Sequence, residues 1–161
     1  MLSLFNKIHV CSPTTAKLAI IQYMRPAAGF GIGREEGFHW ALVAVTDQER
    51  GTRGIRLHTQ NVVLEHSGKF LGGVYIGEIG VDKLAILKKV RDVLVLVPCK
   101  NEPDWNCQSW AMETIAEVLI PNGWAFLTIT SEASLLPTLR TASRISYEAM
   151  QKGEKPVVID L

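Results

Sequence analysis

Cysteine is scarce in this 161-residue chain, which holds three, at Cys11, Cys99 and Cys107. So few, so widely spread and odd in number, they build no disulfide framework and lack the paired short spacings of a zinc site. An excess of charge is lacking too. Seventeen basic and sixteen acidic residues leave a net +1, so no electrostatic footprint points to nucleic acid or to an anionic membrane. The basic residues Lys88, Lys89 and Arg91 read as a solvated helix face rather than a phosphate-binding patch. No apolar stretch approaches the roughly 20 residues of a transmembrane segment. Residues 1–10 include Asn6, Lys7 and His9, where a signal peptide needs an apolar run. These absences predict a reducing, soluble, cytoplasmic setting.

What the chain does have is a core. With 47% hydrophobic residues it is long enough for one domain over 1–161 and too short for two. Residues 17–24 read as a buried strand ended by Arg25-Pro26. Residues 27–37 form a glycine-rich loop whose spacing fits neither a dinucleotide fingerprint nor a P-loop. Residues 38–46 are a strand, 48–52 a turn, and 54–59 the returning strand of a hairpin. A second hairpin turns at Ser67-Gly68, with 73–79 as its second strand. Apolar residues at 81, 84, 85, 87 and 90 keep a helical period, and 93–97 fits either element. The best-marked helix runs over 105–120, with an apolar stripe at 107, 110, 111, 114, 115, 118 and 119 that Pro121-Asn122-Gly123 stops. A last helix over 137–151 and an edge strand at 157–159 complete the list. The fold class is α+β: an antiparallel sheet of four to six strands packed against helices.

The chemistry sits in two short stretches, Phe38-His39-Trp40-Ala41-Leu42 and Asn106-Cys107-Gln108-Ser109-Trp110. With Asp104 or Asn106 as N-cap, Cys107 falls in the first helical turn. There the unpaired N–H groups and the helix dipole favour a thiolate and can hold an oxyanion. The plainer reading makes Cys107 the first apolar residue of the stripe, because free cysteine is often buried. Alternation along the strand puts His39 on one face with Ala41, Val43 and Val45, and Phe38, Trp40 and Leu42 on the other. His39 is thus either a satisfied core residue or a rigidly held base. His58 lies on the returning strand, and a paired hairpin would set it beside His39 in the orienting place of a triad; a half-exposed strand histidine is the alternative. Trp40 and Trp110 read as core. Trp105 either lines a substrate groove or staples the N-cap. Gln108 flanks the nucleophile as a helix-surface residue or an oxyanion donor.

Taken in order, His39-Trp40-Ala41-Leu42, Gly54-Ile55-Arg56-Leu57-His58 and Asn106-Cys107-Gln108-Ser109-Trp110 resemble the three motifs of the lecithin retinol acyltransferase-like group. That group comprises circularly permuted relatives of the NlpC-type and papain-like cysteine enzymes. There a His-Trp-Ala strand is followed by a second strand histidine and then by an Asn-Cys-Glu-His-Phe helix start. The resemblance covers about residues 38–119. It implies a permuted papain-like core, Cys107 as nucleophile, His39 as general base, His58 as the orienting third residue, and a thioester acyl-enzyme. Gln108-Ser109-Trp110 replaces Glu-His-Phe, the 47–53 loop lengthens the interval between the histidines, and no hydrophobic anchoring tail is visible. The Asn-Cys-Gln-x-Trp form is also similar to that of small proteins found in fungi. Phospholipid or retinoid chemistry is therefore not inherited with the fold.

The expected reaction is cysteine-dependent hydrolysis or acyl transfer on an ester, thioester, amide or isopeptide. The substrate is a small-molecule acyl, peptide or lipid-like compound. No metal or organic cofactor is required, and the 27–37 loop is a candidate lid. Trp40, Trp105 and Gln108 are the candidate substrate-binding residues. Two rivals remain: an amide- or peptide-bond-forming biosynthetic enzyme using the same Cys-His site, and a non-catalytic binding module in which Cys107 is structural.

Overall fold

A computed structural model describes residues 16–24, 34–45, 53–56, 61–63, 69–80, 83–95, 97–98 and 100–161. Among them six strands form one sheet: β1 (Ala16–Tyr23), β2 (His39–Val45), β3 (Arg53–Arg56), β4 (Asn61–Val63), β5 (Phe70–Ile79) and β6 (Val158–Asp160). Their order is β4-β3-β2-β1-β5-β6. All neighbouring pairs are antiparallel except β5 with β6, which is parallel. The helices are α1 (Lys83–Leu94), α2 (Cys107–Thr114) and α3 (Glu132–Gln151). The class is α+β, with a mixed sheet packed against helices.

β1 reads as a continuous apolar run because it lies inside the sheet and is buried on both faces. Leu18 and Ile20 face the helices, joined by Trp40, Leu42 and Ala44 from β2 and by Val74 and Ile76 from β5. Val90 and Leu94 of α1, Trp110 and Ala111 of α2, and Leu135, Leu139 and Ala142 of α3 close that core. Ala19, Ile21, Tyr23, Ala41, Val43, Val45 and Phe70 form a second buried cluster on the opposite face. The period of two expected for residues 38–46 is therefore realised, with Trp40 and Leu42 toward the helices and the His39 row away from them. On α1 the basic residues Lys88, Lys89 and Arg91 are exposed, as a solvated face requires.

Three expectations need correction, and one reading left open is resolved in part. Residues 73–79 are not the second strand of a local hairpin. β4 pairs with β3, whereas β5 runs along the other side of β1; a run buried on both faces carries no signal of its neighbour. Of the 93–97 run, which by sequence fits either element, Val93 and Leu94 are the last residues of α1. The helix expected over 105–120 is α-helical only to Thr114 and continues as a π-helical turn, Ile115–Leu119. The last helix starts not at Pro137 but at Glu132, behind a Ser131/Ser134 capping box, and Pro137 sits in its second turn. Proline at a helix start is the commoner case, and the weaker Ser-x-x-Ser signal set the true boundary.

Close approach explains one glycine of β5. A Cβ on Gly77 would overlap the Trp124 carbonyl. There the chain after the π-helical turn lies against the strand, and Phe126 N–H donates to the Ile76 carbonyl at 2.9 Å. The C-terminal strand β6 covers the next stretch of the same edge, opposite Gly73–Tyr75.

Candidate active site

Cys107 is the first residue of α2, and Asn106 is its N-cap. Of the two N-cap candidates the structure takes Asn106, whose Oδ1 accepts from Gln108 N–H (2.7 Å) and Ser109 N–H (3.3 Å). Ser109 Oγ returns the favour to Asn106 N–H at 3.4 Å, completing a capping box. Trp110 N–H bonds the Asn106 carbonyl at 2.9 Å. The cap thus engages the N–H groups of Gln108 and Ser109 in the first turn of α2. The thiol carries no disulfide and is partly exposed.

The turn ahead of α2 is braced from below. Trp105 packs half-buried against the helix-side core. Its Nε1–H donates to Glu113 Oε1 (3.2 Å), which also takes the Lys100 ammonium at 2.7 Å. The Lys100 hydrogen bond holds the Glu113 carboxyl below its usual range, and the same bond raises the Lys100 ammonium. Trp110 Nε1–H donates to the Val97 carbonyl at 3.3 Å. These contacts hold Val97, Lys100 and Trp105 against the helix whose first residue is the thiol.

Gln108 turns inward. It is 4% exposed, and its Nε2 donates to the Phe38 carbonyl (2.9 Å) and the Glu35 carbonyl (3.2 Å). That amide nitrogen is therefore committed to the chain just before His39, rather than presented to a substrate. Residues 35–37 form a single 3-10 turn. Glu35 is wholly buried; its carboxylate accepts from Ser143 Oγ at 2.5 Å and lies 3.4 Å from Arg140 Nε, both on α3. The described end of the glycine-rich loop is thus an anchored junction of β2, α2 and α3, which bears on the lid expected over 27–37; residues 25–33 lie outside the described residues. Sequence reasoning missed Glu35, and no spacing signal sets it apart from Glu36 beside it.

Nothing similar has been found. Neither a family model, nor a curated protein, nor a solved structure matches the chain. The site therefore stands on its own geometry.

His39 opens β2 and pairs directly with Tyr23, the last residue of β1. The two rings are 6.2 Å apart and tilted by 41°, on the sheet face opposite the one α2 packs against. Cys107 and His39 each open their element, and Gln108 ties one opening to the other. His58 lies outside the described residues, as do Cys11 and Cys99. The described pairing of β2 with β3 runs from Val43–Val45 to Gly54–Arg56. Trp40 is 2% exposed in the helix-side core, a packing residue rather than a groove wall. Among the described residues no helix is long and apolar enough to cross a membrane.

Proposed function

We propose that this chain is a cysteine-dependent acyl-transfer enzyme, a hydrolase or acyltransferase, on a permuted papain-like core. The observation that carries the reading is the position of Cys107: partly exposed, first in a helix whose N-cap is satisfied, and held by its neighbour against the peptide that leads into His39. In the proposed cycle the imidazole of His39 takes the proton from Cys107 Sγ, and the thiolate attacks the carbonyl carbon of an ester, thioester or amide. The carbon–sulfur bond forms while backbone N–H groups at the start of α2 steady the oxyanion. The tetrahedral adduct collapses, and the alkoxide, thiolate or amine leaves with the proton from the imidazolium. Water, or an alcohol or amine acceptor, then releases the acyl group from the thioester. His58 takes the orienting place that the resemblance implies. His39 itself leaves the sheet on the face away from the one α2 packs against.

That same facing favours a second reading. A histidine whose ring lies tilted beside Tyr23, on the sheet face away from α2, suits a binding module in which Cys107 is structural. Iodoacetamide labelling near pH 6.5, read by peptide mass spectrometry with Cys11 and Cys99 as references, separates the two. The enzyme reading expects Cys107 to react about ten-fold or more faster than the references, and His39→Ala to abolish the excess. Equal rates in both proteins would leave the binding module standing.

A further inference from the structure

We infer that Gln108 is a positioning residue for Cys107, a role that rests on the acyl-transfer reading above. Three observations converge. The side chain belongs to the residue after the nucleophile, so its anchor fixes the first turn of α2 itself. It is buried, and its Nε2 donates to the backbone carbonyls of Phe38 and Glu35, about seventy residues away in sequence. Those carbonyls belong to a segment that is itself immobilised, through the Glu35 carboxylate, by Ser143 and Arg140 of α3. A buried amide reaching two backbone acceptors is a rigid strut, because losing it removes a buried donor from both carbonyls, of which that of Glu35 keeps the more local Phe38 N–H at 3.0 Å. The Asn106 cap sets the direction of the helix start, and Gln108 sets its distance from the first peptide of β2. Between them Cys107 has little freedom to slide or tilt relative to His39, and misplacement of a reacting group by about 1 Å costs on the order of 100-fold in rate.

Gln108→Met keeps the length of the arm and removes its donors. Gln22→Met is the matched control. Gln22 is also buried, and its Nε2 also bonds a backbone carbonyl, that of Leu139 on α3 at 2.9 Å. Full-length wild type and both variants are labelled with iodoacetamide from about pH 5.5 to 9, and urea midpoints are measured in parallel. The positioning role expects Gln108→Met to move the Cys107 profile alkaline, with labelling at fixed pH falling about ten-fold per unit moved. Gln22→Met loses comparable stability and keeps the wild-type profile. Gln108→Asn, which retains the amide on an arm one methylene shorter, is a milder variant read in the same way should the methionine protein not fold. A wild-type profile in the Gln108 variants, or an equal shift in Gln22→Met, overturns the role and leaves acyl transfer intact. If wild-type Cys107 shows no excess over Cys11 and Cys99, acyl transfer itself fails, and the positioning role goes with it.

Discussion

Glu113 shows what single side chains contribute around the thiol. Its carboxyl is depressed first by the hydrogen bond from Lys100, and in smaller part by that from Trp105. A depressed folded-state value means that its stabilisation is present above the ordinary 4.5 and is lost as pH falls through the folded value. Lys100 is raised, so its share is complete below 10.5 and disappears at higher pH. The pair therefore supports residues 100–106 between those limits. Glu113→Gln is expected to lower the urea midpoint at neutral pH and to converge with wild type as the pH drops below the ordinary carboxylate range. Parallel curves down to about pH 3 would show that the ion pair contributes nothing. At this scale the sequence was partly legible. Asn106 was one of two N-cap candidates because its type and place before an apolar stripe carry a local rule. Gln108 and Glu35 were not legible, because their partners are backbone carbonyls and a distant helix.

Elements follow the same division between local and distant causes. β2 and α2 announce themselves by periodicity and β1 by its apolar run, and the facing of Trp40 and His39 follows from alternation alone. The neighbour of β5 is set by which edge of β1 lies open, and a run buried on both faces does not encode that choice. Gly77 is the local trace of that packing. An alanine Cβ would meet the Trp124 backbone, which is less able to yield than the end of a flexible side chain. Gly77→Ala is expected to cost at least the roughly 1–3 kcal/mol of ordinary overpacking, read as a lower urea midpoint. Because the clash sits beside the hydrogen bond from Phe126 N–H to the Ile76 carbonyl, that amide should also lose hydrogen-exchange protection. An unchanged midpoint with retained protection would mean that the Trp124 segment does not press on β5.

Across the molecule, the α+β class followed from counting elements, whereas the closure of the sheet by a parallel C-terminal strand did not. Three residues at 158–160 are too few to specify a partner; tertiary contacts do so instead. Val157 N–H bonds Ser146 Oγ of α3 at 3.0 Å, and its carbonyl accepts from Gly73 N–H at 3.1 Å. Lys17 of β1 then reaches across the face of Tyr75 on β5, at 4.4 Å from the ring centroid, to Asp160 of β6 at 3.4 Å. This clasp links three adjacent strands, and its middle member titrates. Burial first, and the Asp160 carboxylate second, raise the Tyr75 phenol above its ordinary 10.0. A raised folded-state value makes the contribution complete below that pH and progressively lost as pH climbs through the folded value. Alkaline unfolding of the wild type should therefore include a component from phenolate forming beside a carboxylate. Tyr75→Phe keeps the ring under Lys17 and removes that proton, so its alkaline limb should lie at higher pH in a circular-dichroism titration. Superimposable limbs would place the alkaline weakness elsewhere and reduce Tyr75 to a packing residue between Lys17 and β6.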